Sequence, residues 1–461
     1  MKRFPDTLLI IMGIMVVFIA LTWLVPAGEF ERTTVNGRQV IVAGSYQEVE
    51  PNPQGLGAFL KAPIKGFISA AQIIAFVFLV GGAFGIVTKT GAIDAGLKNI
   101  IQFSERHPRY RHWILPVVIT LFSLAGATFG MSEEVLVFVL ITIPLALALG
   151  YDSLTGVAVS FVGAGLGFAG AFINPFTIGV AQGIAELPPA SGMGYRLVVW
   201  VVTTAIGIIY IMRYVLQLEK DPTRSLVYEI DQKRDMGQLD TAEELPFTSR
   251  HRLVLIALVA ALVLLVFGVS QWGWYINEIA ALFIGLGIVA ALISHLSAEK
   301  AVEAFKTGAG DMLTAALVIG LAKGLIVIAE DGKIIDTMLS SIAGLSEGLP
   351  KAVTVEVMFI FQTMLNFFVP SGSGQAALTM PIMAPLSDLL GVSRQTAVLA
   401  FQFGDGLSNL IIPTSGVTMG VLAIANIPYN VWVKWFLPLF LLLCVACMLM
   451  LLPPVLFFEW G

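Results

Sequence analysis

The chain has 461 residues, of which 57% are hydrophobic and 12% charged, with a mean hydropathy of +0.88. No water-soluble domain hides that much apolar surface, so the composition points to a polytopic all-α membrane protein and excludes an ordinary soluble enzyme. The formal net charge of -5 and the lack of a basic stripe give no reason to expect nucleic acid as a partner, and strand-type alternation is missing.

Taken in chain order, Met1-Lys2-Arg3 and the apolar run from Leu8 to Val25 resemble a signal peptide. The run is too long for an h-region and has no Ala-x-Ala site, so a retained first span is expected. Spans are predicted near 8–26, 70–90, 152–187, 195–216, 253–271, 277–295, 312–330, 394–427 and 435–455. Those at 152–187 and 394–427 exceed the roughly 20 residues of a straight crossing and have room for an unwound middle. Two pairs of short helices, about 113–150 and 352–391, read as re-entrant hairpins. Residues 27–69 read as an external loop ending in an interfacial apolar stretch, and 217–252 as a solvated cytoplasmic linker of mixed charge. With the N-terminus cytoplasmic, most of the 26 Lys and Arg residues fall inside, as the positive-inside rule asks.

The two halves compare at a nearly constant shift of 241 positions, which pairs Ser132 with Ser373, Pro144 with Pro385 and Gly150 with Gly391. The shift also pairs Glu134 with Gln375 and brings both hairpins and both broken helices into register. The chain then divides into a first scaffold span and loop (1–69), a first repeat (70–216), the linker (217–252), connecting and scaffold spans (253–311) and a second repeat (312–461). The extra crossing at 253–271 inserts the second repeat upside down. Inverted repeats whose broken helices meet near the midplane are the layout of an alternating-access carrier.

The chemistry falls on the breaks. One hairpin tip reads Thr128-Phe129-Gly130-Met131-Ser132-Glu133-Glu134, the other Pro370-Ser371-Gly372-Ser373-Gly374-Gln375. The broken helices carry Asn174-Pro175-Phe176-Thr177 and Asp405, Ser408, Asn409, Pro413, Thr414, Ser415 and Gly416. Proline frees upstream carbonyls, glycine lets the chain turn, and Ser, Thr and Asn supply neutral oxygens. Such oxygens suit Na⁺ near Thr128, Ser132, Asn174, Ser373 and Thr414, while helix N-termini favour a carboxylate. Close packing or a kink explains any one such motif; four in inverted register favour a site. Glu133, Glu134 and Asp405 are acids at membrane depth, where an ionisable group is expected to be functional. Adjacent glutamates on a helix cannot both face one way, so one is expected to cap or point to water. Lys323 and Glu330 fit a structural pair or a helix end at least as well as transport and are left outside the core site. With three acids and no deep arginine, a zwitterion with a cationic side chain fits, and a dicarboxylate held by helix ends remains the alternative. Cys444 and Cys447 are expected to pack, and the four histidines fall at helix ends.

The stretches Asn366–Gln375, Gly404–Asn409, Gly130–Glu134 and Ile173–Thr177 resemble the YfcC-like branch of the anaerobic C4-dicarboxylate carrier (DcuC-like) family, within the ion transporter superfamily. The resemblance covers nearly the whole chain. It implies a homodimeric elevator-type carrier of the bacterial inner membrane, coupled to Na⁺ or H⁺ and using no other cofactor. Substrate contacts are implied at Ser132, Asn174, Ser373, Ser408, Asn409 and Thr414. The tips here, Met-Ser-Glu-Glu and Ser-Gly-Ser-Gly, depart from the Ser-Asn-Thr tips of Na⁺-dicarboxylate relatives. Members of the branch are described as basic amino acid antiporters, which agrees with the acids. A channel is the distant alternative.

Overall fold

A lipid environment offers backbone N–H and C=O groups no water, so the apolar runs resolve into helices that satisfy them internally. The computed structural model describes all residues except 1–6, 36–37, 43, 94, 97–98, 100–105, 107, 175, 189–190, 235–246, 347–348, 459 and 461. In chain order the helices are α1 (Thr7–Leu24), α2 (Leu56–Ser69), α3 (Ala71–Lys89), α4 (Pro108–Phe129) and α5 (Val135–Ala148). Next come α6 (Ser153–Ala169, with a π turn at Ala158–Val162), α7 (Ile178–Ile184) and α8 (Met193–Lys220). After the linker follow α9 (Ser249–Trp272), α10 (Ile276–Ile293), α11 (Ala298–Asp311), α12 (Leu313–Asp331) and α13 (Ile335–Ser346). The chain closes with α14 (Lys351–Asn366), α15 (Gly372–Leu389), α16 (Arg394–Ser408), α17 (Gly416–Ile424) and α18 (Tyr429–Leu451). Among the described residues five helices are long and apolar enough to cross a membrane by length and composition, α3, α8, α10, α12 and α18 among them.

The structure departs from the sequence expectation in three places. The segment 27–69, expected as a loop, carries regular structure: Gly28–Glu29 pairs with Gln47–Glu48, Arg32–Val35 pairs with Arg38–Ile41, and 56–69 forms α2. Asp336 anchors this loop by accepting from Phe30 N (2.9 Å) and from the Arg32 guanidinium (2.9 Å). Helices α11 and α13 fill segments to which the hydropathy pattern assigns no span. The linker 217–252 is not free throughout, because Asp231 accepts from Ser153 N (2.8 Å) and Ser225 Oγ donates to Asp152 (2.7 Å); its residues 235–246 lie outside the described ones.

The helices sort by packing into two groups. In one, α3 packs on α10, α11 and α12, while α12 packs on α1 and α2. In the other, α4 packs on α6, α14 and α15 on α16, and α6 on α8 and α16. Small residues set these distances: Gly66 of α2 lies against Gly320 and Gly324 of α12, and Gly167 of α6 against the Ser123 carbonyl of α4. Helices α5 and α17 touch both groups, α5 through α3 and α6, α17 through α12.

Candidate functional site

Between the two groups lies a cavity of about 150 Å³. Helix α4 stops at Phe129 because Gly130 adopts φ +71°, a left-handed conformation that glycine enters without strain. The tip Gly130–Glu134 then forms an irregular turn before α5. Glu133 and Glu134 both line the cavity, and Glu134 turns a carboxylate oxygen back to the tip backbone, as a capping glutamate does. Glu134 is buried and its Oε2 accepts from Ser132 N (3.0 Å), which fixes the turn.

The second tip is shorter than its sequence predicts. Helix α14 ends at Asn366 and α15 resumes at Gly372, so Gly372, Ser373, Gly374 and Gln375 are its first helical turn. Ser371 caps it, Oγ accepting from Gly374 N (3.3 Å). Ser371, Gly372 and Ser373 line the cavity together with Ser132, Glu133 and Glu134. Gly374 and Gln375 face away; Gln375 Nε2 donates to Gln362 O (2.9 Å) and Oε1 (2.7 Å).

The broken helices complete the wall. Helix α6 ends at Ala169, and the chain runs unwound to α7; Pro175 lies outside the described residues. Asn174 is fully buried, and its Oδ1 accepts from Phe176 N (2.9 Å) and Thr177 N (3.3 Å). Thr177 lines the cavity; Asn174 sits behind Gly130. Likewise α16 ends at Ser408 and α17 starts at Gly416, with Ser415 Oγ accepting from Thr418 N (3.4 Å). Asn409 and Ser415 line the cavity. Ser408, Thr414 and Asp405 lie behind it: Asn366 Nδ2 donates to Ser408 Oγ (2.7 Å), and Asn409 Nδ2 donates to Asp405 Oδ1 (2.9 Å). Asp405 Oδ2, Thr177 Oγ1, Thr414 Oγ1 and Asn174 Nδ2 are buried without partners among the described residues. A Cβ on Gly372 would meet Thr177 Cγ2 at 2.5 Å and Asp405 Oδ2 at 3.0 Å, so those two groups adjoin the second tip. Thr128 is not at the cavity; its hydroxyl bonds the Leu124 carbonyl (2.7 Å).

The sequence reading misses the wall residues from the first helix group, Ile73 of α3, Tyr275 before α10, and Ile319 and Lys323 of α12. Lys323, left outside the core site by the sequence reading, thus lines the cavity. Tyr275 packs against Phe176 with ring centroids 5.8 Å apart and the planes tilted by 32°. An aromatic between two spans reads as an interface anchor, and only the fold brings it here. One arginine is buried at a helix end. Arg196, placed outside by the sequence, is fully buried in the first turn of α8, its Nη2 donating to Gln395 (3.3 Å) and its guanidinium over Trp460. Among the described residues no cluster of His, Cys, Asp and Glu is set to hold a metal.

Residues 4–455 match the family model for the C4-dicarboxylate anaerobic carrier, DcuC. The chain belongs to the DcuC family. This DcuC-family chain is 40% identical over 470 residues to the Escherichia coli (strain K12) protein named "Putative basic amino acid antiporter YfcC", covering 93% of this chain and 92% of that one. It is 29% identical to an uncharacterized protein of Haemophilus influenzae, covering 97% and 95%. Among solved structures it overlays the YdaH transporter of Alcanivorax borkumensis at TM-score 0.41 and 15% identity, covering 99% of this chain and 100% of that one. It overlays MtrF of Neisseria gonorrhoeae at TM-score 0.42 and 18% identity, covering 98% and 95%. The protein is thus a membrane transporter of the DcuC family, with a YfcC-like sequence.

Proposed function

We propose that this transporter exchanges basic amino acids across the bacterial inner membrane, with its N-terminus cytoplasmic. The observation that carries the reading is the meeting of the two hairpin tips at one cavity that holds Glu133 and Glu134. A guanidinium or ammonium side chain fits those carboxylates, and a small zwitterion fits the size of the space. The name of the Escherichia coli relative agrees with such a cargo.

The proposed movement is an elevator. Helices α4, α6–α8, α14–α16 and α18 would carry the site past a frame of α1–α3 and α9–α12, the frame pairing in a homodimer. Two inverted repeats would underlie it. Supporting them, the order hairpin then broken helix occurs twice, and Gly150 and Gly391 both turn the chain at left-handed φ, +79° and +67°. The orphaned oxygens of Asp405 and Thr177 beside Gly372 support a coupling Na⁺ or H⁺ there.

A second reading is a C4-dicarboxylate carrier, favoured by the family description and by Lys323 in the cavity. The test measures labelled arginine, ornithine, aspartate and succinate fluxes in proteoliposomes, with and without Na⁺ and pH gradients. Arginine–ornithine exchange is expected; movement of dicarboxylates alone would overturn the basic amino acid reading.

A further inference from the structure

Lys323 is the cation of the cavity wall, and the basic amino acid reading gives it no role. It sits on α12, whereas Glu133 and Glu134 sit on the α4–α5 tip, and all three line the same space. Ile319, one turn earlier on the same helix face, packs against Gly416 at the start of α17. That contact holds this face of α12 against the site. Lys323 forms no hydrogen bond and no close ion pair among the described residues, and its charge acts on Glu133 in the cavity wall and on Glu330 of its own helix. Glu330, two turns further along α12, does not line the cavity. An ammonium group at membrane depth is costly unless it is hydrated or meets an anion. The N-terminus of α15 opens onto the same cavity through Ser371, Gly372 and Ser373, and its dipole also favours negative charge.

The cavity therefore offers two kinds of partner: carboxylates for a cation, and an ammonium with a helix N-terminus for an anion. A substrate that satisfies both carries a carboxylate as well as its positive groups. We propose that Lys323 recognises the substrate carboxylate and so makes the carrier select amino acids over the amines that lack that group. The choice of arginine as ligand rests on the proposed function; the carboxylate contact does not, because a dicarboxylate would make it too.

The test follows thermal unfolding of the purified full chain against arginine, agmatine (arginine without its carboxylate) and succinate. Wild type should respond to arginine at a concentration at least tenfold below that for agmatine. Lys323→Gln should raise the arginine concentration at least tenfold and leave agmatine unchanged, and Lys323→Arg should restore the preference. Equal losses for arginine and agmatine, or an unchanged arginine response in Lys323→Gln, would overturn the inference. A wild type that answers to succinate and not arginine would sink the basic amino acid reading alone, and loss of the succinate response in Lys323→Gln would then uphold the role of Lys323. A wild type that answers to none of the three counts against both.

Discussion

Replacing Gly130 with alanine probes the joint between the first tip and its broken helix. At φ +71° an L-residue pays about 1–2 kcal/mol for the left-handed conformation. The added Cβ would lie 2.5 Å from Asn174 Oδ1 and 2.7 Å from its Nδ2. Ordinary heavy-atom contacts sit near 3.5 Å, so Asn174 must retreat by about 1 Å. It cannot do so freely, because it is fully buried and its Oδ1 holds the N–H groups of Phe176 and Thr177. Losing one of those bonds adds about 1 kcal/mol, which brings the total to roughly 2–3 kcal/mol. Gly130→Ala should therefore unfold several degrees lower in detergent and lose most of its flux in proteoliposomes. Asn174→Ala also breaks the two bonds, so in the double variant the costs should fall short of additive. A Gly130→Ala protein with wild-type melting and flux, or strictly additive costs, would refute this account of the joint.

Gly167→Ala should destabilise by about 1–3 kcal/mol or more, read by thermal unfolding, since its Cβ would overlap the Ser123 carbonyl and force α4 from α6. Asp152→Ala should cost roughly 2–4 kcal/mol in the same assay, because buried Asp152 accepts from Thr155 N (2.8 Å), Thr155 Oγ1 (2.6 Å) and Ser225 Oγ (2.7 Å) as well as from Tyr214. Glu134→Gln keeps an oxygen for Ser132 N but removes the charge, so melting should hold while exchange of a cationic substrate falls at least tenfold.

The sequence exposes the parts of the site that break helices. Pro370–Ser373 and Pro413–Gly416 interrupt apolar runs, and in lipid such interruptions need a protein or wet lining. What escapes it has specific causes. A 3.6-residue period does not say which neighbour a face meets, so nothing ties Lys323 and Tyr275 to the site until α12 and α10 are seen beside the tips. Which of Glu133 and Glu134 ties the tip is also not legible, because Gly130 has already ended the helix there. Helix α11 is hidden because its charged face, with Lys300, Glu303 and Lys306, leaves no apolar run for hydropathy to detect. Gly374, Gln375, Ser408 and Thr414 lie within the right motifs but turn to interior partners or to the backs of the breaks, a direction fixed by tertiary packing.

Cross-linking the two tips tests most directly whether they close on one transported substrate. Cys444 and Cys447 are the chain's two cysteines, so replacing them gives a background in which Ser132→Cys and Ser373→Cys carry the sole thiols. A short bifunctional thiol reagent should join the pair in membranes and stop flux, and the transported substrate should protect against it. Single variants that label while the pair never joins, or a joined carrier that still transports at the wild-type rate, would contradict the account.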